Sequence, residues 1–362
     1  MSSFMLRRFY YGLLVLLGVL TVVFVLFAIL PGDPARMIMG QRTDQKMIDA
    51  IRKDLGLDQP LLVQYLLYIN DISPVSLHNA TDPENIWFFD QEKYKTGIQL
   101  VQIKNTVIAL KKPYLRRSWQ SRREVSDILV EAFPKTLLLA SVSILIAMIA
   151  GLIIGSITAI INKPFLNRIV LVITVFGMSL PSFFAAILIA WIFAFLLAEY
   201  TGLSMFGSLY SVDDFGNGEY LDLKNLILPA ITLGIRPLAI VVELTRTSLL
   251  EVLSQDYIRT AYAKGLKKWR VVVIHALKNA LNPVITAISG WFASLLAGAV
   301  FVEYVFDWKG IGVVIVDALE KYDLPVLMGS VLLIAFILII INIFVDIVYG
   351  VLDPRVRIAN KI

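Results

Sequence analysis

The sequence predicts an all-α membrane protein with six transmembrane helices and an extracytoplasmic insertion between helices 1 and 2. Three observations carry that prediction. Of 362 residues, 58% are hydrophobic and 17% charged, with a mean hydropathy of +0.75, well above the apolar share of soluble domains. The apolar residues gather into uncharged runs near or beyond the roughly 20 residues of helix that cross a hydrocarbon core. Lysine and arginine are distributed unevenly among the stretches between those runs, as expected of a multipass protein with a cytoplasmic side.

The runs follow in order. Leu13 to Leu30 comes behind Arg7 and Arg8, and with no small-residue cleavage site after it, it is expected to stay as an anchor. Thr136 to Ile161, Ile169 to Ala198, Ala280 to Val302 and Leu324 to Val345 carry no charge. Asn225 to Thr245 is interrupted by Arg236, Pro237 and Glu243, yet it separates two polar loops and is long enough to cross. Six spans put both termini on one side. The short loops and ends on that side hold fourteen lysines and arginines against three on the other, Lys224, Lys309 and Lys321, so both termini are expected in the cytoplasm.

Pro31 to Lys135 then lies outside as a small subdomain. It contains an amphipathic stretch from Met47 to Tyr68, the aromatic triplet Trp87-Phe88-Phe89 and a basic stretch from Lys111 to Arg123. For the triplet a private core is favoured over a face for a partner. The expected domains are a first helix (1–30), the outer segment (31–132), a membrane-spanning domain (133–350) containing a cytoplasmic loop (249–282), and a tail (351–362).

Composition also excludes chemistry. Without cysteine there is no disulfide, thiolate nucleophile or cysteine-based metal site. Two histidines, His78 and His275, are too few for a histidine-rich metal site. The formal charge of +5 fits cytoplasmic loops better than nucleic acid, and no nucleic-acid partner is expected. No Gly-x-x-x-x-Gly-Lys-Ser/Thr loop occurs, so ATP hydrolysis within this chain is not expected.

The most informative stretch is the loop between spans four and five: Asp256-Tyr-Ile-Arg-Thr-Ala-Tyr-Ala-Lys-Gly-Leu266, followed by His275-Ala-Leu-Lys-Asn-Ala-Leu-Asn-Pro283. Its positive charges alone say nothing beyond a cytoplasmic location. Read as a helix, Ala261 and Gly265 fall four apart on one face, where small residues let another surface approach the backbone. A glycine there serves a close contact or a turn.

Here the sequence resembles the permease family of ABC importers, within it the dipeptide and oligopeptide branch. Arg259-Thr260-Ala261 and Gly265 stand where that family has the Glu-Ala-Ala and glycine of its coupling helix. Pro31-Gly-Asp-Pro34, Leu228-Pro-Ala-Ile-Thr-Leu-Gly234, Val302-Glu303 with Phe306, and Asp353-Pro-Arg355 also look like the branch. Two features depart from it: Lys309 where proline is usual, and an apparent insertion from about Ile72 to Lys112.

The resemblance implies a type I ABC importer permease fold in the bacterial cytoplasmic membrane. It implies Asp256, Tyr257, Arg259, Thr260, Ala261, Ala263, Lys264, Gly265 and Leu266 as the ATPase contact. It further implies two cytoplasmic ATPase subunits that bind the ATP, a second permease distinct from this one, an extracytoplasmic substrate-binding protein, a peptide substrate, and no cofactor of the chain's own.

Charges inside spans are costly and so are candidates for the translocation path. Arg236 and Glu243, seven apart on one helical face, either assist each other or simply orient the helix. Ser179 and Pro181, with Gly177, interrupt span three by freeing a carbonyl, which makes either a packing kink or a cavity wall. Glu303 and Asp307 stand near the outer mouth, either to attract a peptide amino terminus or as solvated acids. A secondary transporter would need paired broken helices, and an intramembrane enzyme would need a catalytic pair that the sequence lacks.

Overall fold

Helices form where the uncharged runs stand, and short strands form where branched residues alternate with polar ones. The computed structural model describes residues 2–29, 48–49, 52, 56–83, 85–95, 97–212 and 218–352. Pro31-Gly-Asp-Pro34, the start of the amphipathic stretch at Met47, and Asp353-Pro-Arg355 lie outside the described residues. The chain is predominantly helical and divides into two units, residues 1–131 with 314–336 and residues 132–313 with 337–362.

In the first unit, helix α1 (Ser2–Ile29) and helix α2 (Leu61–Ile72) share a core in which Leu20, Tyr68 and Leu332 are buried against Phe24 and Tyr65. The Thr21 and Tyr65 hydroxyls lie 2.6 Å apart, which satisfies both within the apolar contact. Strands β1 (Val75–Asn79), β2 (Ile98–Ile103) and β3 (Thr106–Leu110) form an antiparallel sheet in the order β1-β3-β2.

Burial alternates along β1: Ser76 and His78 face in while Val75 and Leu77 face out, the period of two that a one-sided sheet requires. Phe89 and Tyr94 fill the inner face with Val107 and Ala109. A private core therefore claims Phe89, whereas Trp87 and Phe88 are only half-buried. The all-helical expectation needs this sheet added to it. Runs of five or six residues leave no trace in a search for spans of about 20.

The helices that follow are α3 (Val125–Ile161), α4 (Pro164–Ser179), α5 (Ser182–Ile189, continued as a π-helix to Leu196), α6 (Lys224–Leu253), α7 (Asp256–Ala263), α8 (Leu277–Gly298, entered through a π-helical turn at Val271–Ala276), α9 (Val300–Phe306), α10 (Ile311–Glu320) and α11 (Leu324–Leu352). A hairpin, β4 (Tyr210–Val212) with β5 (Glu219–Leu221), precedes α6.

Among the described residues, four helices are long and apolar enough to cross a membrane: Val125–Ile161, Lys224–Leu253, Lys268–Leu296 and Leu324–Val345. The apolar part of α1, Tyr10–Leu26, is shorter. The run from Ile169 to Ala198, expected as one span, is α4 and α5 bent by 110°. The bend has a local cause. Leu180 is extended (φ −68°, ψ 129°) ahead of Pro181, as residues before proline tend to be, and Pro181 has no N–H to return to the Gly177 carbonyl.

The axis of the second unit is α6, 61% of whose apolar window is buried against 28–33% for the other three long spans. Small residues let its neighbours approach. A Cβ on Gly155 of α3 would lie 2.7 Å from the Val242 carbonyl, and one on Gly151 would lie 2.6 Å from Val241. In lipid, where helices gain little from hydrophobicity, such close backbone packing is a main source of association.

Candidate functional site

The loop singled out by sequence folds as α7 and the turn after it. Gln255 is extended ahead of the helix, and Ile258 and Ala261 turn inward to pack with Leu249, Val271, Val272 and Ala276. Asp256, Tyr257, Arg259, Thr260, Ala263, Lys264 and Gly265 are exposed, and Leu266 is half-buried.

This corrects the expected shared face of Ala261 and Gly265. Ala261 belongs to the chain's own core at 8% exposure, and α7 has ended before Gly265, which takes a left-handed φ of +77°. The Gly265 N–H donates to the Tyr262 carbonyl at 2.9 Å and that of Leu266 to Ala261 at 3.4 Å, so the glycine serves the turn that closes the helix. Open space surrounds it.

Two contacts hold the exposed ridge. Asn279 donates to the Tyr257 hydroxyl at 2.8 Å, and the Lys268 ammonium reaches the Ile160 carbonyl at 3.4 Å. The pair Arg259–Asp256, at 3.3 Å, is fully open to water and adds little. Sequence reasoning passed over Trp269, which stands 63% exposed beside this ridge. A tryptophan among the lysines and arginines of a polar loop was the available signal.

The second candidate region lies where α4 breaks into α5. Ser179 is exposed and donates to the Val175 carbonyl at 2.8 Å, and Pro181 is exposed beside it. Arg236, on α6, donates to the Leu180 carbonyl at the break, at 2.9 Å. A cavity of about 370 Å³ opens here, with Gly177, Leu180, Leu233, Arg236, Trp291 and Phe301 in its wall. Glu243 is not part of it. Among the described residues no ion pair joins its carboxylate to Arg236 or Arg246, and the Thr247 hydroxyl donates to the backbone carbonyls of Glu243 and Leu244 at 2.8 and 3.2 Å. The mutual-assistance alternative for Arg236 and Glu243 is thus not realised.

Glu303 and Asp307 separate as well. Glu303, on α9, is completely buried, which removes the solvated-acid alternative for it. Its Oε2 accepts the Gly312 N–H at 2.6 Å, while the Ile311 N–H donates to the Thr136 hydroxyl at 2.8 Å and the Trp308 indole to the Lys135 carbonyl at 3.0 Å. These bonds fasten the turn 307–312 to the start of the bundle. Asp307 ends α9 in a left-handed conformation and pairs with Lys309 at 2.5 Å, both half-exposed.

In the first unit a different charge cluster is buried. Asp71 accepts Tyr94 OH at 2.6 Å, Lys93 at 3.0 Å and Arg116 at 3.1 Å, and its own carbonyl accepts the Lys111 ammonium. Burial alone would raise the Asp71 carboxyl, but Lys93, Arg116 and the Tyr94 hydroxyl hold it below the ordinary carboxylate range. Burial, opposed by Asp71, pushes Lys111 down to about 8. Burial, aided by Lys111, pushes His78 down to about 4. The basic stretch is thereby largely absorbed by structure: Arg117 lies near Glu124, and Arg123 pairs with Glu131.

Comparison with known proteins places this architecture. Residues 151–358 match the model of the binding-protein-dependent transport system inner membrane component, and residues 1–83 match the model of the N-terminal part of such membrane components. The chain is 34% identical to the di/tripeptide transport system permease protein of Pseudomonas aeruginosa (strain UCBPP-PA14), with 99% of each covered. It is 32% identical to the dipeptide transport system permease proteins of Bacillus subtilis (strain 168), with 100% of each covered, and of Escherichia coli (strain K12), with 99% of each covered.

An inward-facing structure of the MetNI methionine ABC transporter matches 63% of this chain and 97% of its own at a TM-score of 0.50 and 17% identity, a likeness of fold. With a family model matching more than half of its length and relatives matching from end to end, the chain belongs to the family of binding-protein-dependent transport system inner membrane components.

Proposed function

We propose that this chain is one permease subunit of an ATP-driven importer that carries dipeptides or oligopeptides across the bacterial cytoplasmic membrane. Two separate ATPase subunits bind the ATP, a second and distinct permease completes the channel, and an extracytoplasmic binding protein delivers the cargo. Six spans with both termini in the cytoplasm put the coupling ridge on the ATPase side.

The observation that carries this reading is the exposed ridge of α7. One face is anchored in the chain's own core through Ile258 and Ala261. The other presents Asp256, Tyr257, Arg259, Thr260, Ala263 and Lys264, closed by Gly265. A short helix held by its inner face transmits a push as a rigid body, and closure of an ATPase pair would thereby reorient the bundle between two states. The peptide cargo is supported by the names of the full-length relatives.

The test is Gly265→Arg. The substitution strains a left-handed position and places a bulky cation on the ridge. The variant is expected to insert normally yet lose both uptake and association with the ATPase. Full uptake at normal expression would overturn the coupling assignment. Mass spectrometry of ligand co-purified with the assembled importer and its binding protein tests the cargo, and a nickel chelate or glutathione there would replace peptide in the reading.

A further inference from the structure

We propose that Arg236 is the residue of this permease that takes the terminal carboxylate of a peptide in transit, in the cavity at the α4–α5 break. The proposal rests on the peptide-import reading above and names the group on the substrate that this chain recognises.

Four observations converge on one wall. The cavity, about 370 Å³, has the volume of a small-molecule site and an apolar lining of Leu180, Leu233, Trp291 and Phe301. Arg236 is the one charged residue in that lining, and no acidic residue accompanies it. Its guanidinium is only partly used: one Nη donates to the Leu180 carbonyl at 2.9 Å, while the buried Nε has no partner. An arginine remains charged even when drawn out of water, and its planar fork matches a carboxylate.

The fourth observation is the backbone. Pro181 and Pro237 cannot donate to the carbonyls of Gly177 and Leu233, four residues before each. Gly177 and Leu233 both line the cavity. A broken helix at membrane depth is tolerated where its freed groups meet a cavity, and discontinuous helices mark binding sites in other transporters. The wall thus offers a cation for a carboxylate and carbonyl acceptors for peptide N–H groups, with Trp291 and Phe301 for apolar side chains. A purely structural Arg236, bracing the break through Leu180, would need only the one bond it makes.

The assembled importer with both permeases and its ATPases, reconstituted in liposomes and supplied with saturating dialanine-loaded binding protein, provides the test. Arg236→Gln is expected to lower dialanine uptake roughly tenfold or more, as the loss of a charge-assisted hydrogen bond does. ATPase activity stimulated by the loaded binding protein is expected to stay within about twofold of wild type, and Arg236→Lys is expected to keep a substantial part of the uptake that Arg236→Gln loses.

Should Arg236→Gln fail to assemble, Ser294→Asp decides: a carboxylate placed in the same lining competes for Arg236 and should also lower uptake with the ATPase intact. Unchanged uptake in the variant that assembles, or equal loss in the Lys and Gln variants, overturns the proposal alone. No dialanine uptake by the wild-type importer overturns it together with the peptide reading.

Discussion

Asp71 in the first unit is buried and Arg236 in the second is half-buried, and the surroundings of these two charged side chains differ sharply. Asp71 accepts from Tyr94, Lys93 and Arg116, while its backbone carbonyl takes Lys111. Arg236 spends one bond on a carbonyl and turns toward a cavity with its Nε unpartnered. A buried charge with every valence filled is a joint of the fold, because removing any member strands the others. A half-buried charge whose buried Nε is left unpartnered beside open space is costly to the fold, and a ligand that completes the set offsets that cost. Glu303 stands between the two: its Oε2 accepts the Gly312 N–H in the 307–312 turn, while its Oε1 is buried without a partner.

Removing the hub is the strongest way to test that division. Asp71→Ala leaves Lys93 and Arg116 without their carboxylate partner, while the Lys111 bond to the residue 71 carbonyl can persist, and it should destabilise the first unit by about 3–5 kcal/mol. Hydrogen exchange across 75–110 in the intact protein would register the opening. Arg236→Gln should leave exchange in the bundle nearly unchanged, and equal opening in the two variants would break the comparison.

A pH series sharpens it from the same unit. His78 sits near 4 in the folded state against an ordinary 6.5, so between these values the unfolded chain holds the extra proton and stability falls as pH falls. The loss amounts to at most about 3 kcal/mol across that window. The lowered Asp71 carboxyl adds further loss only below its ordinary value of 3.8. Protease susceptibility of 75–110 should rise from pH 6.5 to pH 4, and His78→Gln should flatten that rise. A slope that survives the substitution would assign the window to other groups.

The Glu303 turn predicts a smaller effect. A Cβ on Gly310 would come within 2.5 Å of the Glu303 carboxylate, so Gly310→Ala should cost about 1–3 kcal/mol through overpacking. Gly290→Ala, in a helix with open space around it, should cost nothing. Thermal midpoints of the purified protein compare the two, and equal midpoints would show that the turn yields freely. Smallest of all is Asp307→Asn. Its pair with Lys309 is half-exposed, and losing it should change stability by under about 1 kcal/mol. A larger loss in the same melting measurement would move Asp307 into the Glu303 joint.

Much of this molecule was legible in one dimension. Three of the uncharged runs and the charge-interrupted Asn225–Thr245 fall on the four long apolar helices, because spanning a bilayer depends on the length of a local apolar segment and little else. The third run was read as continuous, yet its breaking residues, Ser179 and Pro181, were visible. How far the chain bends there, 110°, was not. The three-stranded sheet of the first unit went unseen, because strands of five or six residues declare themselves through partners far along the chain, such as Val75 opposite Leu110.

At the candidate sites the division is similar. Position and composition of the coupling ridge were legible, since α7 is local and its pattern resembles a known family. Which of its residues face inward was decided by packing against Leu249 and Val271, and that packing turned Ala261 from a docking residue into a core residue.

By itself, then, the sequence determined that the chain lives in a membrane, where most of its spans run, and which loop carries the family-like motif. These follow from transfer free energies and short motifs that act over a helix or less. Only the tertiary structure decided that Arg236 meets the carbonyl of Leu180, that Glu303 is buried, and that Gly177 and Leu233 line one cavity. Each of those facts joins residues distant in the chain, and what a buried charge does is set by the partners that folding brings to it.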